Sequence, residues 1–208
     1  MARYLGPACR ICRRQGSKLF LKGTKCMTEK CPFNKRGFPP GQHGKNRIKL
    51  SDYGLQLMEK QKVKRMYGLL ERQFRSTFQR ASEAPGVTGE KLLELLERRL
   101  DNVVYRLGFA TSRVQARQMV RHGHVLVGDH RVNIPSFCVK PGQTLRLVGS
   151  ESFLKTLKDT RELTKERALP EWLNRDAEEP RGAVVGLPTR SDVQFPIQEQ
   201  LIVELYSK

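Results

Sequence analysis

The stretch Ser112-Arg-Val-Gln-Ala-Arg-Gln-Met-Val-Arg-His-Gly-His-Val-Leu-Val127 contains the change of hydrophobic period that decides the fold class. Its first residue and the glutamine three positions later have the form of a helix capping box, and Gly123 is typical of a helix end. Strand patterns follow, with a turn at Gly128-Asp129 and further strands at Arg131-Val132 and Thr144–Val148. A helical run that passes into short strands predicts an α+β fold with a small antiparallel sheet.

The chain upstream of this stretch is predicted to be mostly helical. Ser51-Asp52 offers a helix start, and apolar residues then recur at helical spacing through residue 81, at Val63, Tyr67, Leu70, Phe74 and Phe78. This stripe predicts one core-facing side, and the cations Lys62, Lys64, Arg65, Arg72, Arg75 and Arg80 cover much of the remainder. After a break at Ala84-Pro85-Gly86, a second helical run begins near Thr88. Asp101 is expected to cap a short helix that ends at Gly108.

Downstream of the strands, the sequence predicts a helix over residues 152–168 and a linker or surface loop over 174–183. Pro196 suits the first position of a final helix, with Ile197, Leu201 and Leu205 on one face. The expected division is a cysteine-rich module at 1–45, a helical domain at 46–97 completed by 184–208, a module of helices and strands at 98–160, and a helical extension and linker at 161–183.

Four cysteines at the start of the chain have the spacing of a metal site, Cys9-x2-Cys12 and Cys26-x4-Cys31. Four thiolates satisfy tetrahedral zinc and leave no open position, so the site is expected to be structural. An iron–sulfur cluster also accepts four thiolates, and a redox pair is a weaker alternative. Residues 1–45 hold too few apolar side chains for a core, which favours a metal as their staple. Cys138 is expected to be a buried packing thiol.

The net charge of +18 is concentrated at the start of the chain. Residues 1–80 contain 20 Lys and Arg against 4 Asp and Glu, whereas residues 81–208 contain 19 against 17. Such asymmetry favours a polyanionic partner, either nucleic acid or an anionic membrane. A membrane is disfavoured because no apolar run approaches the ~18 residues of a spanning helix and no signal peptide is recognisable. A cytoplasmic protein is therefore expected, in which lasting disulfides are disfavoured.

Three arginines in the opening stretch, Arg113, Arg117 and Arg121, fall on one side of a helix beside an apolar side. Guanidinium forks match phosphate oxygens, so this face is expected to meet RNA or DNA. The loop Phe38–Lys45 is rich in Pro and Gly, and its His43 is expected to contact RNA or to serve the loop structure.

Catalytic signals are weak. His122, His124 and Asp129 can be combined into an acid–base or metal site only on paper, and a basic loop is the favoured interpretation. Phosphate-binding loops and nucleophile elbows are not recognisable. The chain is therefore not expected to be an enzyme.

Longer motifs resemble a known family. Arg99–Ala110 followed by Ser112–His124 resembles the helix–turn–helix and hairpin module of the small-subunit ribosomal protein four family. The resemblance covers the whole chain, including Ala2–Pro7, Pro39–Gly44, Ser51–Tyr53, Glu59–Lys62, Leu70–Phe74 and Glu199–Glu204. The four cysteines resemble the zinc-bearing branch of that family.

The resemblance implies a ribosome-bound, cytoplasmic protein that binds small-subunit ribosomal RNA first and nucleates assembly. Its expected partners are a multi-helix junction in the 5′ domain of that RNA, ribosomal protein five, with which it influences decoding accuracy, and messenger RNA near its path into the ribosome. No membrane or small-molecule substrate is expected. The residues expected to contact RNA are Arg3, Arg13, Arg14, Lys22, Arg36, His43, Lys45, Arg47, Lys62, Arg65, Arg72, Arg113, Arg117, Arg121, His122 and His124.

Two other classes remain open from the residues alone. An RNA-modifying enzyme can carry the same module, but only about 60 residues follow it, too few for a catalytic domain. A redox-sensing zinc protein would release its metal on mild oxidation, unlike a structural site.

Overall fold

The computed structural model describes residues 3–46 and 49–207, which form two compact units. Unit 1 comprises Met1–Leu92 with Phe195–Lys208, and unit 2 comprises Leu93–Gln194. The described part of unit 1 is helical, and unit 2 combines helices with an antiparallel sheet, which confirms the α+β class.

The helices are α1 (Ala8–Gln15), α2 (Pro32–Lys35), α3 (Asp52–Met66), α4 (Glu71–Glu83), α5 (Thr88–Glu97), α6 (Leu100–Arg106), α7 (Arg113–Arg121), α8 (Glu151–Leu163) and α9 (Glu199–Tyr206). Short 3-10 helices lie at Gly23–Cys26 and Arg190–Asp192. The strands are β1 (Val125–Val127), β2 (His130–Arg131), β3 (Thr144–Leu147), β4 (Leu173–Arg175) and β5 (Arg181–Val184).

The predicted helical run over residues 51–81 is interrupted. Ser51 caps α3 by accepting a hydrogen bond from the Gly54 N–H at 3.3 Å, but α3 ends at Met66 and α4 begins at Glu71. Gly68 lies between them with φ of 67°, a left-handed conformation that favours glycine and ends the helix. The prediction of one apolar stripe is therefore wrong at Leu70, which precedes α4 and is exposed. The other four apolar residues are buried as predicted.

The last helix, α9, packs against α3 and α4 in unit 1. Its Tyr206 ring stacks on Phe78, with centroids 4.5 Å apart. Pro196 is not the first residue of this helix, because α9 begins at Glu199. The Pro196 carbonyl instead accepts a hydrogen bond from Lys62 Nζ at 2.6 Å, which ties the segment before α9 to α3.

The sheet of unit 2 is antiparallel in the order β2-β1-β3-β5-β4. Apolar residues on its inner face, such as Val125, Leu145 and Leu147, pack with Val103, on α6, and with residues of α7 and α8 in one core cluster. The predicted strands after Gly123 are confirmed within one or two residues.

The expectation of a linker over residues 174–183 is wrong. Most of this segment belongs to the β4–β5 hairpin, whose strand β5 pairs with β3. The Asp176 carboxylate accepts hydrogen bonds from the N–H groups of Glu179 and Glu178, which lower its pKa. The strands have only three and four residues, too short for an apolar alternation to be recognised.

Within the described residues, the structure contains no helix long and apolar enough to cross a membrane.

Candidate nucleic-acid interface

Helix α7 buries one side and exposes another. Ala116, Met119 and Val120 lie in the core, whereas Val114, Gln118 and Arg121 are exposed. The predicted cap is confirmed, since Ser112 Oγ accepts from the Gln115 N–H at 3.3 Å. In a full capping box Gln115 would accept from the Ser112 N–H, but here its Oε1 accepts from the Thr111 N–H at 2.8 Å.

Arg117 does not belong to an exposed arginine face, which corrects the expectation for α7. It is 7% exposed, and its Nη1 lies 3.2 Å from Asp101 Oδ2. The same carboxylate receives two bonds from Arg99, at 3.1 and 2.9 Å. Two buried guanidiniums thus share one carboxylate, an arrangement in which loss of Asp101 would remove the shared partner of two buried positive charges.

Asp101 is therefore a partner of arginines and not the expected helix cap. The first N–H groups of α6, on Leu100 and Asp101, donate to the carbonyls of Phe137 at 2.8 Å and Pro135 at 3.2 Å. The chain around Cys138 thereby lies against the start of α6. Cys138 itself is only half-buried, so the expectation of a buried thiol is not met.

A second buried network positions Arg113. Glu97 is fully buried and accepts two bonds from Arg106, each 2.9 Å long. Asn102 donates to Glu97 Oε2 at 2.8 Å and accepts from Arg113 Nε at 2.8 Å. The Arg113 guanidinium also lies 4.5 Å from the centre of the Tyr105 ring. Arg113 is half-buried and held in place, with only part of it accessible to a ligand.

The turn between α6 and α7 is fastened by the segment that follows α8. Arg167 donates to the carbonyls of Tyr105 at 2.8 Å, Ala110 at 3.0 Å and Thr111 at 3.2 Å. Its guanidinium also covers the Tyr105 ring at 4.2 Å. Burial lowers the pKa of this guanidinium, which nevertheless stays charged as arginines do.

Two further side chains hold the same turn. Thr164 Oγ1 donates to the Gly108 carbonyl at 2.6 Å, and Arg175 Nη1 donates to the Leu107 carbonyl at 3.2 Å. Gly108 has φ of 79°, and a Cβ there would lie 2.5 Å from Arg175 Nη1. The conformation favours glycine at this position, and a larger residue would also force the Arg175 guanidinium to shift.

The C-terminal end of α7 presents an accessible cationic group. Arg121 and His122 are exposed, and His124 is half-buried with its ring stacked on Phe153 at a centroid distance of 4.1 Å. The His124 Nδ1 lies 3.0 Å from the Val148 carbonyl. These contacts identify His124 as part of the packing between β3 and α8, whereas Arg121 and His122 are available to a ligand.

In unit 1, the four N-terminal cysteines line one small cavity of about 10 Å³, together with Ala8, Leu21, Lys22 and Phe33. Cys12, Cys26 and Cys31 are buried, and Cys9 is partly exposed. Burial raises the pKa of the Cys12 and Cys26 thiols, and the neighbouring thiols raise it further, whereas hydrogen bonds from the Leu19 and Lys22 N–H groups lower it.

These cysteines fit a four-thiolate metal ion in number, in chemistry and in facing one cavity. The Lys22 N–H lies 3.3 Å from Cys26 Sγ, a bond of the kind that orients metal ligands. Over residues 3–46 and 49–207, no group of three or more His, Cys, Asp or Glu side chains is already arranged around a metal position. Zinc therefore stays a prediction.

The loop after α2 is joined to α1 by Arg13. This side chain donates to the Phe38 carbonyl at 3.0 Å, and its guanidinium lies 5.2 Å from the centre of the Phe38 ring. Lys45 lies over the same ring at 5.5 Å. His43 and Lys45 are exposed, so the loop presents them beside α1.

The other predicted cations of unit 1 differ in accessibility. Lys62 is paired with Glu59 at 2.9 Å and Lys64 is buried against Glu71 at 2.6 Å, so neither is available to an anion as expected. Arg65 lies over the Tyr4 ring at 4.7 Å. Arg47 lies outside the described residues. The exposed members are Arg3, Arg14, Lys22, Arg36 and Arg72.

Comparison with known proteins matches both units to described domains. Residues 3–97 match the Ribosomal protein S4/S9 N-terminal domain, and residues 98–145 match the S4 domain. Proteins named small ribosomal subunit protein uS4 align over 100% of this chain and 100% of their own length. They are 59% identical in Thermodesulfovibrio yellowstonii, 57% in Geobacter sp. strain M21 and 53% in Halothermothrix orenii.

The chain belongs to the uS4 family.

The S4 domain match of this uS4 family member ends at residue 145, before α8 and the β4–β5 hairpin. Thr164, Arg167 and Arg175, which fasten the α6–α7 turn, all lie beyond it. Sequence reasoning missed these residues because isolated polar side chains carry no periodic signal. Their role is recognised only once the structure shows that they donate hydrogen bonds to carbonyls around the α6–α7 turn.

Proposed function

We propose that this uS4 family protein is a structural component of the small ribosomal subunit and binds its ribosomal RNA. The observation that carries the proposal is identity of up to 59% over the full length of relatives named for that subunit. The net charge of +18 and the exposed cations at the end of α7 and around α1 support RNA binding. As a member of a family of structural ribosomal proteins, the protein is not an enzyme. It works in the cytoplasm, on the ribosome.

Each unit is proposed to contribute its own RNA contacts. In unit 2 these are Arg121, His122 and the accessible part of Arg113. The network around Glu97 holds Arg113 through Asn102, and Asp101 holds α7 through Arg117. In unit 1 they come from the cations around α1 and the Phe38 loop. Because the major groove of A-form RNA is too narrow for side chains, selectivity is expected from the shape of the RNA and affinity from phosphate contacts.

The finer roles are proposals that rest on the family resemblance. The RNA target is proposed to be a multi-helix junction in the 5′ domain, whose binding nucleates assembly. Ribosomal protein five is proposed as the neighbouring protein, with which the chain influences decoding accuracy. Messenger RNA near its path into the ribosome is proposed as a further contact.

One zinc ion, bound by Cys9, Cys12, Cys26 and Cys31, is proposed as a structural cofactor, which would place the chain in the zinc-bearing branch. When bound, the metal would neutralise and crosslink four thiolates. The common cavity of the four side chains and the hydrogen bond from the Lys22 N–H support it. An iron–sulfur cluster is the alternative, and iron in the purified protein would favour it.

A footprint of the purified protein on small-subunit ribosomal RNA tests the main proposal. We expect one discrete protected junction in the 5′ domain, with affinity falling steeply as salt rises because phosphate contacts release counterions. Replacing Arg121 with Ala is expected to reduce the salt slope by about one. Protection scattered over the RNA, or none, would refute the proposal.

A further inference from the structure

The sheet of unit 2 has an outer face that lies opposite its core. Val125, Val127, Leu145, Leu147 and Val184 are buried on the inner face. Side chains alternate along a strand, so the residues between them face away from α6 and α7. The predicted RNA-binding residues of unit 2 lie on α7 or directly after it, so the residues of this outer face are not among them.

Three arginines form a row across that outer face. Leu126 on β1 pairs with Arg131 on β2 and with Arg146 on β3, and Arg146 in turn pairs with Arg181 on β5. Residues paired across antiparallel strands share a face. With strands about 4.8 Å apart, the row from Arg131 to Arg181 spans about 14 Å.

This row is positively charged and open to a ligand. The five strands contain no Asp or Glu. Arg131 and Arg146 are exposed, and within residues 3–46 and 49–207 neither side chain has an ion pair or a hydrogen bond. Arg181 is paired with Glu179 at the edge of the row.

The stem of Arg131 lies close to Gly123. A Cβ on Gly123 would lie 3.3 Å from Arg131 Cδ, so the stem of the arginine passes directly over the end of α7. A larger residue at 123 would displace this stem, and the φ of 75° there also favours glycine.

A cleft of about 380 Å³ lies beside the row, where β3 leads into α8. The partly exposed Leu154 gives it apolar surface in front of the buried Leu147 and Leu157, and Arg146 and Lys158 line it with positive charge. Glu178 and Glu179 line another part of its wall.

The wall of this cleft is fastened by Arg161. Its guanidinium donates to the carbonyls of Asp176 and Ala177 at 2.7 Å and of Glu178 at 2.9 Å. Three such bonds between α8 and the β4–β5 turn form the cleft before any ligand arrives.

The lining matches one nucleotide of a single strand. Guanidinium and ammonium groups suit its phosphate, the accessible Leu154 suits the flat face of a base, and a carboxylate accepts hydrogen bonds from a base amino group. The volume lies within the range of small-ligand sites. A base stacked in a regular duplex is not available to such a cleft, whereas an unpaired base is.

We propose that the outer sheet face of unit 2 is a second RNA-binding surface, on which Arg131 and Arg146 hold the backbone of a single-stranded segment while the adjoining cleft receives one unpaired base. This proposal rests on the proposed binding of ribosomal RNA. It gives unit 2 a second set of RNA contacts, on the outer sheet face next to those at the end of α7.

The test uses the full-length protein and a transcript of the small-subunit 5′ domain, with binding measured between about 50 and 200 mM salt. The variant carries Arg131→Ala and Arg146→Ala. Its matched control carries Lys155→Ala and Lys165→Ala, two exposed cations of unit 2 that do not line the cleft. Circular dichroism and thermal unfolding check that both variants are folded.

We expect the arginine variant to bind roughly tenfold more weakly and to reduce the salt slope by about two, since two phosphate contacts are lost. The control is expected to change the slope by less than about half of that amount. Equal slopes for wild type and arginine variant, or equal losses for variant and control, overturn the proposal. An acidic protein as the true partner would leave RNA binding unchanged and is one such outcome. Failure of the wild-type protein to bind the transcript would instead overturn the proposed function.

The cleft is tested separately by ultraviolet crosslinking of the wild-type complex, followed by mass spectrometry. We expect a crosslink within residues 147–158, attached to a nucleotide that is unpaired in the RNA. Crosslinks at other parts of the protein without one here, or a base-paired nucleotide at this position, overturn the role of the cleft.

Discussion

At the scale of single residues, Glu71 joins three elements of unit 1. Its carboxylate accepts hydrogen bonds from Lys60 at 2.7 Å, Lys64 at 2.6 Å and the Tyr206 hydroxyl at 3.0 Å. Burial by itself would raise the pKa of Glu71, but these three donors outweigh it and lower the pKa to about 2. Burial also raises the pKa of Tyr206, and the hydrogen bond to Glu71 raises it further. The carboxylate thus fastens α9 to α3 and α4.

Replacing Glu71 with Gln should destabilise the protein by about 1 kcal/mol at pH 7. A fully buried carboxyl group with this lowered pKa would contribute roughly 3 kcal/mol to the free energy of unfolding. The expected contribution is smaller because the Glu71 side chain is 47% exposed and solvent screens its interactions. Because its native pKa lies below the ordinary value of 4.5, the stabilisation is complete above that pH and is lost as the pH falls towards 2. Urea unfolding of wild type and variant across this range measures the effect.

The matched control is Glu83→Gln, in the same helix, where the carboxylate is exposed and accepts one bond from Gln79. This control should be nearly neutral at every pH. A difference between wild type and the Glu71 variant that is as large at pH 3 as at pH 7 would contradict the assigned role.

Arg117 illustrates which part of a site a sequence can predict. The angular positions of Arg113, Arg117 and Arg121 on α7 were derivable from helix geometry, and the helix is confirmed. Whether an arginine faces solvent depends on what packs there, and Asp101 comes from a different helix. The paired Arg99 and Asp101 are only two residues apart, a separation at which helical residues do not face each other. Burial of Arg117 was therefore not predictable from periodicity.

At the scale of elements, the α6–α7 turn depends on a segment remote in sequence. Arg167 satisfies three carbonyls of the turn, and Thr164 and Arg175 satisfy two more. A turn whose carbonyls are bonded in this way holds α7 at a defined angle to α6. The RNA-facing end of α7 is thus positioned by residues that lie outside the 98–145 domain match.

Replacing Arg167 with Ala is expected to destabilise unit 2 by about 2 kcal/mol, because carbonyls lose a charged donor. Arg167→Lys should recover little, since an ammonium cannot reproduce the planar fork that reaches three carbonyls. Lys165→Ala, at a neighbouring exposed position, is the control and should be near neutral. Hydrogen exchange of the amides in residues 105–113, together with binding to the 5′ domain transcript, measures the effect.

If Arg167 acts by positioning the turn, the Ala variant should exchange faster in residues 105–113 and bind RNA several-fold more weakly. If Arg167 contacts RNA directly, affinity would fall while exchange in the unbound protein stayed unchanged. That second result would contradict the positioning role.

Elements with a strong local signal were predictable, and those defined by pairing were not. Helix α7 and strands β1 to β3 follow from a cap, a glycine and alternating apolar residues. The β4–β5 hairpin was missed because its stability comes from pairing with β3 and from burial of Leu173 and Val184, which are remote from the core in sequence. In β5, Gly182 lies where a Cβ would be 2.7 Å from Leu107, a reason for glycine that only the packing reveals.

At the scale of the whole molecule, the two units are stabilised in different ways, and each has its own exposed cations. Unit 2 has a continuous apolar core around α6, α7 and the sheet. The N-terminal part of unit 1, around α1 and α2, has few buried apolar residues besides Leu19 and relies on the cluster of four cysteines. A metal at those thiols would supply the crosslink that a small core does not.

Chelation should therefore affect the two units unequally. We expect the purified protein to contain about one zinc ion per chain, consistent with a four-cysteine site. A strong chelator should speed amide exchange in residues 8–46 and weaken binding to the 5′ domain transcript several-fold, because Arg13, Arg14 and Lys22 lose their fixed positions. The amides of α6, α7 and the sheet should keep their protection, since their core contains none of the four cysteines.

Cys138→Ser provides the control, because this half-buried cysteine lies in unit 2 and takes no part in the N-terminal cavity. Its zinc content and its response to the chelator should match those of wild type, whereas Cys26→Ser should have lost the metal already and respond no further. Equal loss of protection in both units would show that chelation unfolds the protein as a whole. Unchanged exchange in residues 8–46 would show that the cysteines hold this segment without a metal, by packing around their shared cavity alone.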